Sequence, residues 1–286
     1  MPRIAYVNGR YVRHAEAHVH IEDRGYQFAD GVYEVCEVAR GYIVDGKRHL
    51  DRLNRSLGEL SIGWPLARSA LQIIMREVVR RNRVVNGLVY VQVTRGVASR
   101  DFVFPANTHP SLVVTARKAD PAAAASRAET GIAVITVPEN RWDRVDIKSV
   151  GLLPNVLAKQ KAKQAGAQEA WFVDADGMVK EGGSSNAWIV TRDGRLVTRP
   201  AEHGILRGIT RTTMFEVAAK LGLTIEERHF SVDEAKAARE AFISSATTIA
   251  MPVVSIDGAT IANGHPGSVT LSLRSAFFDV AEKARA

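Results

Sequence analysis

The sequence predicts an α/β (α+β) fold divided into two domains, and three observations predict it. The chain has 286 residues, and a single hydrophobic core rarely grows through such a length. Its second half alternates strand-like with helix-like apolar patterns, as mixed α/β architectures do. Between the halves, Lys118-Ala119-Asp120-Pro121 followed by four alanines and Ser126 has the composition of a connector. A smaller domain is therefore expected over residues 1–118, a linker over 119–126 and a larger domain over 127–286.

Composition narrows the class of protein. A hydrophobic fraction of 46% and a charged fraction of 24% belong to an ordinary water-soluble domain with a sizeable core. The single cysteine, Cys36, excludes an intrachain disulfide framework and a multi-cysteine zinc site. No apolar run approaches the roughly 18 residues that cross a bilayer, and the N-terminus lacks a signal-peptide apolar region. The expectation is a cytoplasmic protein without membrane partners. The net charge of +7 raises nucleic acid, but the basic residues are scattered and no aromatic-interleaved basic platform appears. A basic, non-enzymatic binding module is the weaker reading.

In the first domain, residues 4–12 alternate and turn at Asn8-Gly9 as a short hairpin. His14, His18 and His20 follow without the carboxylates or cysteines that would complete a metal site, so they read as solvated loop residues. From Val32 a β-branched strand puts Tyr33, Val35 and Glu37 on one face, and Ala39-Arg40-Gly41 turns it back. Arg48 to Leu60 is a helix with Leu50, Leu53, Leu57 and Leu60 on one stripe, and Arg52 sits one residue off that stripe. Ala67 to Arg83 is a second amphipathic helix, ended by Asn86-Gly87. Strands at Leu88–Thr94 and Leu112–Ala116 flank the loop Arg95 to Pro105.

In the second domain, strands are expected at Ile132–Val137, Ala170–Val173, Ala187–Thr191, Leu196–Thr198, Ala241–Ser244 and Val253–Ile256. Helices are expected at Val156–Ala165, at Thr210–Leu221 and from Pro266 to about Lys283, and the Ser231-x-x-Glu234 capping box opens another.

The chemistry centres on Asp143-Arg144-Val145-Asp146-Ile147-Lys148-Ser149-Val150-Gly151-Leu152-Leu153-Pro154-Asn155. A loop lysine is ordinarily solvated, but one held in poorly solvated surroundings or near another cation becomes a nucleophilic amine. Lys148 lies between the apolar Ile147 and a small turn-forming run. Gly208-Ile209-Thr210 opens a helix whose free N–H groups suit an anion, although by itself Thr210 reads as an N-cap. Glu181, by itself, reads as a surface acid at a strand end.

Taken together, four motifs in this order resemble the fold-type IV pyridoxal-phosphate enzymes. They are His49-Leu50-Asp51-Arg52-Leu53, the Lys148 stretch, Glu181-Gly182-Gly183-Ser184-Ser185-Asn186 and Leu206-Arg207-Gly208-Ile209-Thr210. That group includes D-amino acid transaminases, branched-chain transaminases and aminodeoxychorismate lyases. The string Arg24 to Val35 and the loop Thr94 to Arg100 look like the D-amino acid transaminases, and the resemblance runs nearly end to end.

The resemblance implies a small N-terminal α/β domain and a larger C-terminal β-barrel-like domain with surrounding helices. It implies pyridoxal 5'-phosphate as cofactor, bound covalently by Lys148, the catalytic base. Arg52, Gly208, Ile209 and Thr210 would hold the phosphate, with Leu206 beside them; Ala246 and Thr247 would form a second phosphate-contacting turn, where relatives often carry threonine in place of Ala246. Glu181 would face the ring nitrogen, with Ser184 next to the cofactor. Tyr33, Val35, Arg100 and Phe102 would form the substrate pocket, Arg100 reaching the neighbouring subunit of a homodimer. Many relatives carry histidine where this chain has Phe102, which removes one donor from the carboxylate trap. The expected reaction exchanges amino groups between D-alanine-like donors and 2-oxoglutarate, giving pyruvate and D-glutamate. Branched-chain or (R)-amine transamination and aminodeoxychorismate lyase are the alternatives on this scaffold.

Overall fold

The computed structural model describes residues 3–202 and 204–286. In chain order it begins with β1 (Ile4–Val7), β2 (Arg10–Arg13), α1 (Arg24–Phe28), β3 (Gly31–Ala39) and β4 (Tyr42–Val44). Next come α2 (Gly46–Glu59), α3 (Arg68–Arg81), β5 (Gly87–Thr94), β6 (Ser111–Lys118), α4 (Pro121–Thr130) and β7 (Ile132–Pro138). α5 (Leu153–Gln164), β8 (Glu169–Val173), β9 (Val179–Gly182), β10 (Asn186–Val190) and β11 (Leu196–Thr198) follow. The chain continues through α6 (Ile209–Lys220), β12 (Ile225–Glu227), α7 (Val232–Ala237), β13 (Glu240–Ser245) and β14 (Ile249–Ile256). It ends with β15 (Ala259–Thr260), α8 (Ser268–Val280) and β16 (Lys283–Arg285).

Contacts divide the chain into two compact units. The first takes residues up to Pro121 together with Ile147–Gly151 and Glu282–Ala286; the second takes Ala122–Asp146 and Leu152–Ala281. Within the stretch expected as the linker, 119–126, the alanine run is helical: α4 starts at Pro121, since proline is well placed in a helix's first turn and the alanines after it are the strongest helix formers.

In the first unit, the described residues form an antiparallel sheet in the order β16-β4-β3-β5-β6-β1-β2. Period-2 alternation along β3 sends Val32, Glu34, Cys36 and Val38 inward, while Tyr33, Val35 and Glu37 stay half-buried on the other face. α2 and α3 cover the inward face with Leu50, Leu53, Leu57, Leu71, Met75 and Val78, which pack with Val89, Val91 and Val93 of β5. The Ile147–Gly151 segment joins this unit by pairing with β3. Tyr33 N–H donates to the Lys148 carbonyl at 3.0 Å and Val150 N–H to the Gly31 carbonyl at 3.0 Å. The final helix stops at Val280 rather than Lys283, because Lys283–Arg285 pair with the edge strand β4.

In the second unit the sheet runs β12-β11-β10-β13-β14-β7-β8-β9, with β15 attached to β14. It is mixed: β14 with β7, β7 with β8 and β11 with β12 are parallel pairs. The sheet curls, because β9 at one end of the path passes directly into β10 through Gly183-Ser184-Ser185, and Gly182 N–H donates to the Ser185 carbonyl at 2.7 Å. Trp171, Ile189, Val197 and Met251 are among the side chains filling its core. No helix among the described residues is long and apolar enough to cross a membrane.

Candidate active site

The first unit holds the lysine. The Lys148 backbone is fixed by β3 on one side, and its N–H points at Ser56 Oγ of α2 at 3.5 Å. Its side chain runs over Tyr33, with Nζ 4.3 Å from the ring centroid. An ammonium on an aromatic face is favoured electrostatically, so the ring fixes the direction in which the amine projects. Tyr33 is itself stacked on Tyr90, centroids 5.5 Å apart, and burial followed by the Tyr33 neighbour raises the Tyr90 hydroxyl well above its ordinary pKa. Val35 lies on the same face of β3, one pleat along.

One turn before Ser56 on α2, Arg52 forks onto Glu34, Nε to Oε1 at 2.7 Å and Nη2 to Oε2 at 2.8 Å. His49 Nδ1 lies 2.7 Å from Glu34 Oε2. Burial pushes the Glu34 carboxyl up, but the charge and fork of Arg52 and the His49 contact outweigh it and lower the pKa to about 2. Burial, only partly offset by Glu34, holds His49 below its ordinary value. Arg52 is thus oriented by a carboxylate that the sequence reading passed over.

Arg100 and Phe102 lie on the loop after β5, away from Tyr33 along the chain. Arg95 anchors that loop: Nε reaches Asp30 Oδ2 at 2.7 Å, Nη2 reaches the Leu60 carbonyl at 2.7 Å, and Arg24 adds a bond to Asp30 Oδ2 at 2.8 Å. Beyond the anchor the Arg100 guanidinium stacks 4.7 Å from the Phe28 centroid, and Phe102 is 83% exposed.

The second unit holds the acid. Glu181 lies within β9 and is 4% exposed, so it is not a surface strand end. Oε1 accepts from Arg141 Nη1 at 2.7 Å; Oε2 accepts from Asn186 Nδ2 and from the Leu206 backbone N–H, each at 3.1 Å. Asn186 Nδ2 also donates to the Leu206 carbonyl at 2.9 Å. Its Oδ1 lies over Gly208, where an added Cβ would sit 2.1 Å away. Asn186 therefore ties the acid to the approach of α6, and any side chain at 208 would have to displace its amide. Gly208 is the N-cap of α6, so Thr210, expected as the cap, is inside the first turn and buried, as is Ile209. The first N–H groups of such a helix have no intrahelical acceptor.

Ser184 donates its hydroxyl to Glu169 Oε2 at 3.1 Å, and Ser185 does the same at 3.0 Å. That buried carboxylate, which sequence reasoning missed, shapes the Gly182-Gly183 turn, with Asn155 Nδ2 donating to the Gly183 carbonyl at 2.9 Å. Ala246 and Thr247 form the turn between β13 and β14, where Ser245 Oγ bonds Thr248 Oγ1 at 2.8 Å. Among the described residues no cluster of three or more His, Cys, Asp or Glu could hold a metal ion.

The donor set fits pyridoxal phosphate. In the first unit a primary amine held on an aromatic ring suits an aldehyde; in the second, a buried carboxylate gripped by N–H donors suits a ring nitrogen and a glycine-capped helix start suits a phosphate dianion.

Comparison with known proteins agrees. Residues 31–256 match the amino-transferase class IV family. The chain is 40% identical over 269 residues to a D-alanine aminotransferase of Bacillus licheniformis, covering 94% of each chain. Among solved structures it is similar to a branched-chain amino acid aminotransferase of Escherichia coli, at a TM-score of 0.90, 25% identity and 98% and 95% coverage. A branched-chain amino acid aminotransferase from T.th., solved with pyridoxamine 5'-phosphate, superposes with a TM-score of 0.91 at 25% identity, covering 98% and 94%. On the family match and this full-length similarity, the chain belongs to the class IV aminotransferases.

Proposed function

We propose that this class IV aminotransferase is a pyridoxal-phosphate-dependent D-amino acid transaminase, exchanging the amino group of D-alanine-like donors with 2-oxoglutarate. The observation that carries the reading is the 40% identity over 94% of both chains to a D-alanine aminotransferase. The likeness to the branched-chain enzymes is in fold, at 25% identity.

When bound, pyridoxal phosphate supplies an aldehyde that condenses with amines and a ring that draws electrons from the substrate's α-carbon. Lys148 Nζ would hold that aldehyde and, as a free amine, would move the substrate's α-proton as general base and acid. Glu181 would keep a proton on the ring nitrogen. Arg52, Gly208, Ile209 and Thr210 bind the phosphate, with Leu206 and Ser184 lining the cofactor and Ala246 and Thr247 adding a second turn. Tyr33 and Val35 form one wall of the substrate pocket.

The protein works as a cytoplasmic homodimer in which Arg100 serves the neighbouring subunit's substrate. In support, Tyr26, Phe102 and Val103 on the Arg100 side of the first unit are 78%, 83% and 71% exposed, an apolar surface suited to a partner. Phe102 supplies no hydrogen bond to a carboxylate, so either affinity for the donor is lower than a histidine there would give or another group compensates.

Turnover of D-alanine, L-leucine and an (R)-arylalkylamine with 2-oxoglutarate tests the assignment. Activity confined to D-alanine is expected; L-leucine or the amine as sole donor overturns it. Pyruvate released from aminodeoxychorismate without any oxo acid would instead establish the lyase.

A further inference from the structure

Arg141 is a cation placed 2.7 Å from the acid that is to match a protonated ring nitrogen. Left to itself its positive field would offset that of the Glu181 carboxylate at the ring nitrogen and weaken the reason for the ring to keep its proton. The structure gives Arg141 a second carboxylate. Glu139, at the end of β7, accepts from Arg141 Nε at 2.8 Å through Oε1 and from Nη2 at 2.6 Å through Oε2, and from the Arg141 backbone N–H at 2.9 Å. This is the two-pronged geometry in which a guanidinium and a carboxylate pair most strongly. Glu181 receives only the remaining nitrogen, Nη1.

The geometry points to Glu139 as a positioning residue for the transamination: it takes up the charge of Arg141, so that Glu181 is held in place by the guanidinium yet keeps its own negative charge for the ring nitrogen. The inference rests on the ring-nitrogen role of Glu181 proposed above. The arrangement is well insulated from water, since the side chains of Arg141 and Glu139 are 6% and 13% exposed, and Arg141 is capped by Phe172, whose centroid is 4.2 Å from Cζ. Lys180 Nζ lies 3.3 Å from Glu139 Oε2, the oxygen that also accepts from Arg141 Nη2. Lys180 and Glu181 are neighbours on β9, so strand alternation sends their side chains to opposite faces.

The test is a pair of binding titrations on full-length apoprotein, with pyridoxal phosphate and with its 1-deaza analogue, in which carbon replaces the ring nitrogen. Wild type prefers pyridoxal phosphate. Glu139→Gln keeps the acceptor oxygen but not the charge, and is expected to cut that preference about tenfold by weakening pyridoxal phosphate alone. Removing both charges, in Glu139→Gln with Arg141→Gln, returns the preference toward the native ratio. A Glu139→Gln protein that weakens both ligands alike, or a double variant as indifferent as the single one, overturns the inference. Glu181→Gln is measured in parallel. If it retains the full preference, the ring-nitrogen role of Glu181 fails and the inference with it; if it loses the preference while Glu139→Gln retains it, the inference alone fails.

Discussion

Arg52 and Glu34 face each other across the first unit's core through two parallel bonds, Nε to Oε1 at 2.7 Å and Nη2 to Oε2 at 2.8 Å. The pair joins α2 to β3, the strand that also carries Tyr33 and fixes the Lys148 backbone. A residue proposed to bind phosphate is therefore locked by the same strand that positions the amine.

Glu34→Gln breaks this pair while preserving shape. Removing one partner of a buried ion pair leaves the other uncompensated and costs about 3–5 kcal/mol. Chemical denaturation should show a loss of that order, with weaker pyridoxal phosphate binding because Arg52 is no longer held. A loss below about 1 kcal/mol would mean that water compensates Arg52.

The same cluster sets an acid limit. The folded-state pKa of Glu34 is lowered from 4.5 to about 2, and that of His49 is lowered from 6.5. For both groups the unfolded chain binds protons more readily, so each contributes stability above its unfolded pKa and loses it as pH falls. His49 begins to weaken the fold below about pH 6.5, and Glu34 adds about 3 kcal/mol of loss between about pH 4.5 and 2. Denaturant midpoints measured from pH 7 to 3 should fall steadily, and in Glu34→Gln the lower part of that slope should flatten.

Gly208→Ala would place a Cβ 2.1 Å from Asn186 Oδ1. Because Asn186 also holds Glu181 and Leu206, its displacement disturbs acid and helix start together, at a cost of about 1–3 kcal/mol of stability. Cofactor affinity should fall with it; unaltered binding and melting would show that Asn186 can move freely.

Arg100→Ala should leave stability unchanged, since Arg95, Asp30 and Arg24 anchor the loop without it. If Arg100 binds the substrate carboxylate, KM for D-alanine rises about 10- to 100-fold, the value of a charge-assisted hydrogen bond of about 1.5–3 kcal/mol. Phe102→His should lower KM. An Arg100→Ala enzyme with native KM would remove the loop from substrate binding.

Much of this was legible from local pattern. The amphipathic stripes of α2 and α3, the Asn8-Gly9 hairpin and the Ser231 cap, whose Oγ accepts from Glu234 N–H at 3.0 Å, are short-range signals. Lys148 and Glu181 were legible only through the motifs around them. Glu34 was not, because alternation along β3 puts it on the inward face with Cys36 and Val38, and the partners that make burial tolerable, the Arg52 guanidinium and the His49 ring, lie 18 and 15 residues away. The burial of Glu181 within β9, and β16 altogether, were missed for a related reason. Neither Val179-Lys180-Glu181-Gly182 nor Lys283-Ala284-Arg285 shows apolar alternation, and each is a strand because an existing sheet edge offers it backbone partners.

The central claim is that Lys148 carries the cofactor, and reductive trapping tests it most directly. Protein loaded with pyridoxal phosphate is treated with borohydride, digested, and mapped by mass spectrometry. The phosphopyridoxyl group is expected on Lys148, and absent when D-alanine has converted the cofactor beforehand. Label on Lys159 or Lys180 with Lys148 unmodified would contradict the account.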